Sequence, residues 1–415
     1  MNAREAAVLA LFEVEKNGAY SDLALKKILG GSNLSGVDRA FATELVYGVI
    51  RHKLHIDYNI KTYSSQKLNK LSVWILNILR ISIYQLIFLD KIPQSAAVNE
   101  GVKLAKRYGH DASSRFVNAV LRAVTLGGEI KCPSIEIFYS HPKWLVTLLS
   151  EQYPDCFKKI LASNNEPAPV TIRANSLKTT DEALCEALKA KGIKAVLAGG
   201  VLEIKKFGDI SALSEYKGGL FTPQDRGAFL AAAAVEAKAG ELIIDVCAAP
   251  GGKTTQLAEQ SGDNAEIIAF DLYPHKTELI EKNACRLGIK SITALCHNSS
   301  ETHPDYVGRA DKVLADVPCS GLGIIRKKPD IKWTKSPDDI KEIIEIQKKI
   351  LAASAKYLKK GGVIVYSTCT VNKEENSGVT DEFIKREPFE KVFEIQLLPH
   401  RDNCDGFYIC KMIRR

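Results

Sequence analysis

Between residues 240 and 367, short apolar runs alternate with longer segments of helical period, and this alternation restricts the fold more than any other feature of the chain. The runs at 241–246, 266–270, 292–295, 312–316 and 363–367 carry little of the in-out alternation of a half-exposed sheet. Strands of this kind are buried on both faces, and the helical stretches from 253, at 276–287 and at 338–358 are the crossovers that cover them. The expected fold is a doubly wound, largely parallel Rossmann-like sheet. Ligands of such sheets bind beyond the carboxyl ends of the strands, so the residues that end each run are where chemistry is to be sought.

The rest of the 415 residues divides differently. Helical spacing of apolar residues recurs at 3–17, 37–51, 71–89, 94–108 and 113–124, which predicts an all-α domain over 1–128. Glycines and Pro133 mark a break there, and 129–166 reads as a linker with a helical segment around His141-Pro142-Lys143-Trp144. Strands at 170–174, 195–197, 201–205 and 219–222, with helices at 181–190 and 210–213, make a small α+β unit over 167–235, leaving 236–415 for the doubly wound domain. The apolar stretch 71–89 is interrupted by Asn77, Arg80, Ser82 and Gln85, so it reads as a buried helix and not a membrane span. The start carries no secretory pattern, which predicts a cytoplasmic location with reduced thiols. The ten cysteines show no pair at zinc-site spacing, so no metal is expected. Net charge is +8, of which residues 1–130 hold 17 basic against 11 acidic side chains. That excess suits a polyanion partner, and equally a plain solvated surface.

The first strand of the doubly wound region runs into Asp245-Val246-Cys247-Ala248-Ala249-Pro250-Gly251-Gly252-Lys253-Thr254. This is not a phosphate-cradling P-loop, because Cys247 stands where its first glycine belongs and Pro250 occupies the loop. The second strand ends at Asp271, placed either to hold ribose hydroxyls or to cap the next helix. The third ends in Cys296-His297-Asn298, the fourth in Asp316-Val317-Pro318-Cys319-Ser320-Gly321, and the last in Ser367-Thr368-Cys369-Thr370. A lone cysteine is usually inert filler. Two at the ligand edge of one sheet, with a carboxylate, are what methylation of a pyrimidine at carbon 5 requires. Carbon 5 is too weak a nucleophile until a thiolate adds to carbon 6 with acid assistance at ring nitrogen 3, and the methylated adduct must then be resolved. A base inside a duplex cannot reach such a pocket, so it would be single-stranded or flipped out. The run Arg326-Lys327-Lys328 and Lys332-Trp333-Thr334-Lys335 would lie along substrate phosphates with Trp333 stacking on a base, or else is a charged loop with Trp333 in a core.

These motifs closely resemble those of the RNA (cytosine-5)-methyltransferases. Asp38 to Arg51 and Phe116-Val117-Asn118-Ala119-Val120-Leu121-Arg122 resemble the NusB-like helical domain of the bacterial small-subunit rRNA enzymes, and Gly219-Leu220-Phe221-Thr222-Pro223-Gln224-Asp225 resembles their lead-in to the catalytic domain. The unit before that lead-in resembles their ferredoxin-like insert. The resemblance implies that Cys369 is the nucleophile, Cys319 assists release, and Asp316 hydrogen-bonds the base and borders the cofactor. It further implies that S-adenosylmethionine is held by Cys247, Ala248, Ala249, Pro250, Gly251, Gly252 and Lys253, with Asp271 on its ribose and Asn298 toward its adenine. The family usually has aspartate where this chain has Asn298. The implied partner is 16S rRNA, free or in an assembling subunit. An exocyclic-amine methyltransferase is the enzymatic rival, opposed by Cys319 in the fourth-strand loop. A non-enzymatic ribosome-assembly or antitermination factor is the other.

Overall fold

A computed structural model describes residues 1–127, 130–205 and 208–415. The expected boundary between residues 128 and 129 lies outside the described residues. The chain forms two compact units, one of residues 1–165 with 328–334, the other of 166–327 with 335–415.

The first unit is helical. Its helices Ala3–Asn17, Gly36–Arg51 and Val73–Phe88 start at Asn2, Ser35 and Ser72, whose side chains accept the backbone N–H three residues on. Helix Val73–Phe88 is the core element. Besides Ile75, Ile78, Leu79, Ile81, Ile83 and Tyr84, it buries the polar residues that break its apolar run. Arg80 donates to Asp57 at 2.8 Å and to Glu15 at 2.8 Å, and Gln85 accepts from Arg4 at 2.7 Å. A buried guanidinium is tolerable only when paired in this way. Among the described residues no helix is long and apolar enough to cross a membrane. Helices Ser21–Gly30 and Lys53–Tyr63 add to those expected from the sequence.

The second unit holds two sheets. The smaller is antiparallel, in the order β2-β3-β1-β4, from β1 (Val170–Ala174), β2 (Lys194–Ala198), β3 (Val201–Lys205) and β4 (Phe221–Pro223). Helix Asp181–Lys189 closes its core through Leu184 and Leu188, which pack with Ile172, Leu202 and Phe221. The α+β expectation is met, with a ferredoxin-like arrangement.

The larger sheet has β5 (Leu242–Asp245), β6 (Glu266–Asp271), β7 (Ile292–Cys296), β8 (Ala310–Asp316), β9 (Leu358–Thr368), β10 (Phe389–Leu397) and β11 (Phe407–Arg414) in the order β10-β11-β9-β8-β5-β6-β7. Strands β5 to β9 are parallel, as their continuous apolar character predicts. The sheet is nonetheless mixed: β11 pairs antiparallel with both β9 and β10. The strand order reverses between β5 and β8, and a doubly wound sheet opens its ligand crevice at that reversal.

Candidate active site

Register brings the two cysteines together. In the parallel β8–β9 pair Asp316 stands opposite Ser367, so the loops carrying Cys319 and Cys369 leave adjacent strand ends on the same edge. Both thiols are free, and their sulfurs lie 3.2 Å apart. The hydrogen bond with Cys369, reinforced by burial, holds the Cys319 thiol well above its ordinary pKa. Gly323 completes the junction by donating its N–H to the Cys369 carbonyl at 3.0 Å. A Cβ there would come within 1.8 Å of the Gly406 carbonyl oxygen, so this approach admits only glycine.

Asp316 is fixed on both oxygens. One accepts the Ser367 hydroxyl at 2.8 Å and the other the Lys253 ammonium at 2.6 Å. Burial opposes the charge on Lys253, but Asp316 beside it, with Asp245 and Cys369, raises the lysine above its ordinary pKa. Lys253 is therefore no solvated surface charge.

Lys253 stands in the first turn of helix Gly252–Gln260, and the loop between β5 and that helix packs tightly. Ala248 N–H donates to Phe270 at 2.9 Å, and Gly251, at φ +99°, lies where a Cβ would stand 3.2 Å from the Ile280 backbone. The peptide between Ala249 and Pro250 is cis. Arg173 of β1 holds that helix, donating to the Gly252 carbonyl at 2.8 Å while pairing with Glu259 at 2.7 Å.

A cleft with a volume of about 220 Å³ opens beside this loop, lined by Cys247, Ala248, Ala249, Pro250, Gly252, Lys253 and Asp316, and also by Asp245, Gln224 and Asp225. Asp245 is fully buried, and burial pushes its carboxyl up to about 7. One oxygen accepts the Thr254 hydroxyl at 2.7 Å, while Oδ1 has no protein partner. A buried, unpartnered carboxylate oxygen in an acidic cleft suits a cationic ligand, and S-adenosylmethionine carries both an ammonium and a sulfonium. The residues therefore fit that cofactor.

Gly251, Asp271 and Asn298, also expected at the cofactor, are not among the residues that line the cleft. Asp271 accepts the Ala249 N–H at 3.1 Å and does not cap the helix that follows, which starts at Tyr273 without a side-chain bond. Asn298 is exposed; its Oδ1 takes the Ser300 N–H at 3.1 Å and its Nδ2 reaches Glu301 at 3.3 Å, an Asx turn beyond β7.

The basic run after the Pro-Cys loop is largely interior, which decides between the two readings of it. Lys327 lies 2.8 Å from Asp225 and 2.7 Å from Asp405, and Arg326 pairs with Asp405 at 3.4 Å. In the helical unit the Lys332 ammonium is fully buried and donates to the carbonyls of Arg51 at 2.7 Å and Ser140 at 2.9 Å and to Asn165 at 3.1 Å. The Trp333 indole donates to Ile50 at 2.9 Å. Of the seven residues of the run, Lys328 and Thr334 are exposed. Asp245, Ser367 and Glu375 were not singled out by the sequence, although the first two stand inside the quoted motifs. Among the described residues no group of three or more His, Cys, Asp or Glu is arranged to hold a metal ion.

Residues 232–413 match the family described as 16S rRNA methyltransferase RsmB/F, residues 1–126 the NusB family, and residues 141–206 the ferredoxin-like domain of RsmF/B-like methyltransferases. The chain is 36% identical to the probable ribosomal RNA small subunit methyltransferase B of Bacillus subtilis (strain 168), across 100% of this chain and 99% of that protein. It is 33% identical to the probable ribosomal RNA small subunit methyltransferase B of Synechocystis sp., across 99% of each. The crystal structure of a methyltransferase homolog protein from Pyrococcus horikoshii superposes with a TM-score of 0.62 at 25% identity, covering 69% of this chain and 100% of that one.

Proposed function

The chain belongs to the RsmB/F family of small-subunit ribosomal RNA methyltransferases, and on that premise we propose that it methylates carbon 5 of a cytosine in 16S rRNA through a covalent adduct on Cys369. The observation that carries the proposal is the pair of free thiols, Cys319 and Cys369, 3.2 Å apart at the strand ends that also present Asp316. A methyltransferase acting on an exocyclic amine has no use for two apposed sulfurs.

In this reading Cys247 through Lys253 and Asp245 hold the methionine end of S-adenosylmethionine, Asp271 its ribose, and Asn298 lies toward its adenine. When bound there, the cofactor supplies a methyl on a cationic sulfur and departs as the neutral thioether. Cys369 attacks carbon 6 as a thiolate, so a C–S bond forms and the electron pair of the 5,6 double bond becomes available at carbon 5. Asp316, held on both oxygens, hydrogen-bonds the base, and its partner Lys253 is the adjacent proton-bearing group that assists at ring nitrogen 3. After carbon 5 has taken the methyl it gives its proton to solvent. The 5,6 double bond then re-forms and the C–S bond breaks, its electrons returning to the Cys369 sulfur. Cys319, held protonated beside that sulfur, donates a hydrogen bond to the departing thiolate and so eases release.

Incubating the protein with labelled S-adenosylmethionine and unmodified 16S rRNA, followed by nucleoside analysis, tests this. Label in 5-methylcytosine is expected. Label in any other nucleoside sinks the two-cysteine mechanism.

A further inference from the structure

Glu375 has no assigned role, is completely buried, and sits six residues beyond Cys369. Its Oε2 accepts the Ser320 N–H at 2.7 Å and the Gln347 side-chain amide at 3.2 Å. Its Oε1 accepts the Ser320 hydroxyl at 2.5 Å, the Thr370 hydroxyl at 3.2 Å and the Asn372 amide at 3.2 Å. Ser320 follows Cys319 in the chain, and Thr370 follows Cys369. One carboxylate therefore grips the residue next to each cysteine.

The grip is reinforced on both sides. The Ser320 and Thr370 hydroxyls lie 2.9 Å apart, Gln347 also donates to the Pro318 carbonyl at 3.0 Å, and the Tyr366 hydroxyl donates to the Glu375 carbonyl at 2.7 Å. Five donors converge on a group that only accepts when ionised, so neither an amide nor a hydroxyl replaces it without setting donor against donor. Burying a carboxylate is costly, and a fold needing only to fill this space would do so more cheaply with an apolar side chain. The Glu375 charge is also among the influences that keep Cys319 protonated, after the hydrogen bond to Cys369 and burial.

We propose that Glu375 is a positioning residue that sets the separation and orientation of Cys319 and Cys369, and that it governs resolution of the RNA adduct more than its formation. This rests on the two-cysteine reading above. Cys369 needs only its own strand end to attack, whereas release needs Cys319 in hydrogen-bonding reach of the departing sulfur.

The test compares wild type, Cys319→Ala and Glu375→Gln on unmodified 16S rRNA with labelled S-adenosylmethionine. Turnover, cofactor affinity and the fraction of protein covalently bound to RNA after denaturing quench are measured for each. The expected result for Glu375→Gln is unchanged cofactor affinity, turnover lower by roughly 10- to 100-fold, the cost of a small misplacement of reacting groups, and adduct rising toward the level of Cys319→Ala. A merely structural role would lower cofactor binding and turnover together and leave no excess adduct, and that result overturns the proposal. If Glu375→Gln does not fold, Thr370→Val decides on the same readout, since it removes the hydroxyl that meets both Glu375 and Ser320; no rise in its adduct level overturns the proposal. Absence of adduct in Cys319→Ala would instead remove the underlying two-cysteine reading, and this inference with it.

Discussion

Ser367 stands directly opposite Asp316 across β8 and β9 and donates its hydroxyl to that carboxylate at 2.8 Å. With Lys253 on the other oxygen, the carboxylate has one orientation and cannot swing toward solvent. Ser367→Ala should therefore lower kcat by roughly 10- to 100-fold, the worth of one hydrogen bond to a charged group, with little change in KM for S-adenosylmethionine. Steady-state kinetics against cofactor concentration checks this. An unchanged kcat would show that Asp316 does not depend on its neighbour.

The two cysteines should fail in opposite ways. Cys369→Ala should abolish turnover and form no adduct, and Cys319→Ala should attach RNA and retain it. Denaturing gel electrophoresis with labelled rRNA separates the outcomes, and full turnover by Cys369→Ala would remove the nucleophile assignment.

Cofactor binding should depend on pH near neutrality. The Asp245 carboxyl, pushed by burial up to about 7, is protonated below that pH and offers a cationic ligand no charge. Affinity for S-adenosylmethionine should then weaken as pH falls through 7, by up to about tenfold per unit, and Asp245→Asn should flatten the profile while binding weakly throughout. The stability effect runs the other way. With its folded-state pKa raised above the unfolded value of about 4, Asp245 binds more protons in the folded state, so it lowers the stability of the cofactor-free protein as pH rises from about 4 to 7. Calorimetry of cofactor binding between pH 6 and 8 tests the first claim, and denaturant titrations of wild type and Asp245→Asn test the second.

Arg173 joins the small antiparallel sheet to the helix Gly252–Gln260, whose first turn lines the cleft, through Gly252 and Glu259. Removing it as Arg173→Ala strands a buried carboxylate, at a cost of about 3 to 5 kcal/mol of stability. The helix turn at the cleft also loses a support, so KM for the cofactor should rise more than kcat falls. The reverse pattern in kinetics at a temperature where the variant remains folded would contradict this.

Much of this site was legible because strand ends mark themselves: an apolar run that stops at Asp245, Asp271 or Asp316 announces both the sheet and its ligand edge. The parallel strands were equally plain from their unbroken apolar character. Strands β10 and β11 lie beyond the alternating stretch that ends at residue 367, although Phe389 and Phe407 begin recognisable strand stretches. The charged residues were least legible. Lysines after a catalytic loop look like a phosphate track, and nothing local reveals that Lys327 faces Asp225 and Asp405, which lie 102 and 78 residues away in the chain. Glu375 was hidden for the same reason, since glutamate is ordinarily a surface residue and only the converging donors explain its burial.

Lys332→Met should destabilise the helical unit. It leaves the Arg51 and Ser140 carbonyls and the Asn165 side chain without their donor, at a cost of about 3 kcal/mol or more, since each of the three acceptors loses about 1 to 3. Denaturant titration followed by a probe in the first 165 residues reads this directly, and an unshifted midpoint would refute it.

The chain leaves the second unit at Lys327, lends residues 328–334 to the first, and returns at Lys335. The helical unit is thus no self-sufficient cassette. A recombination event that carried residues 1–165 into another gene would leave behind the lysine that three of its buried oxygens require, and one that exchanged the methyltransferase fold would take that lysine with it. Seven residues thus make the packing of the helical unit depend on a segment that interrupts the sequence of the second.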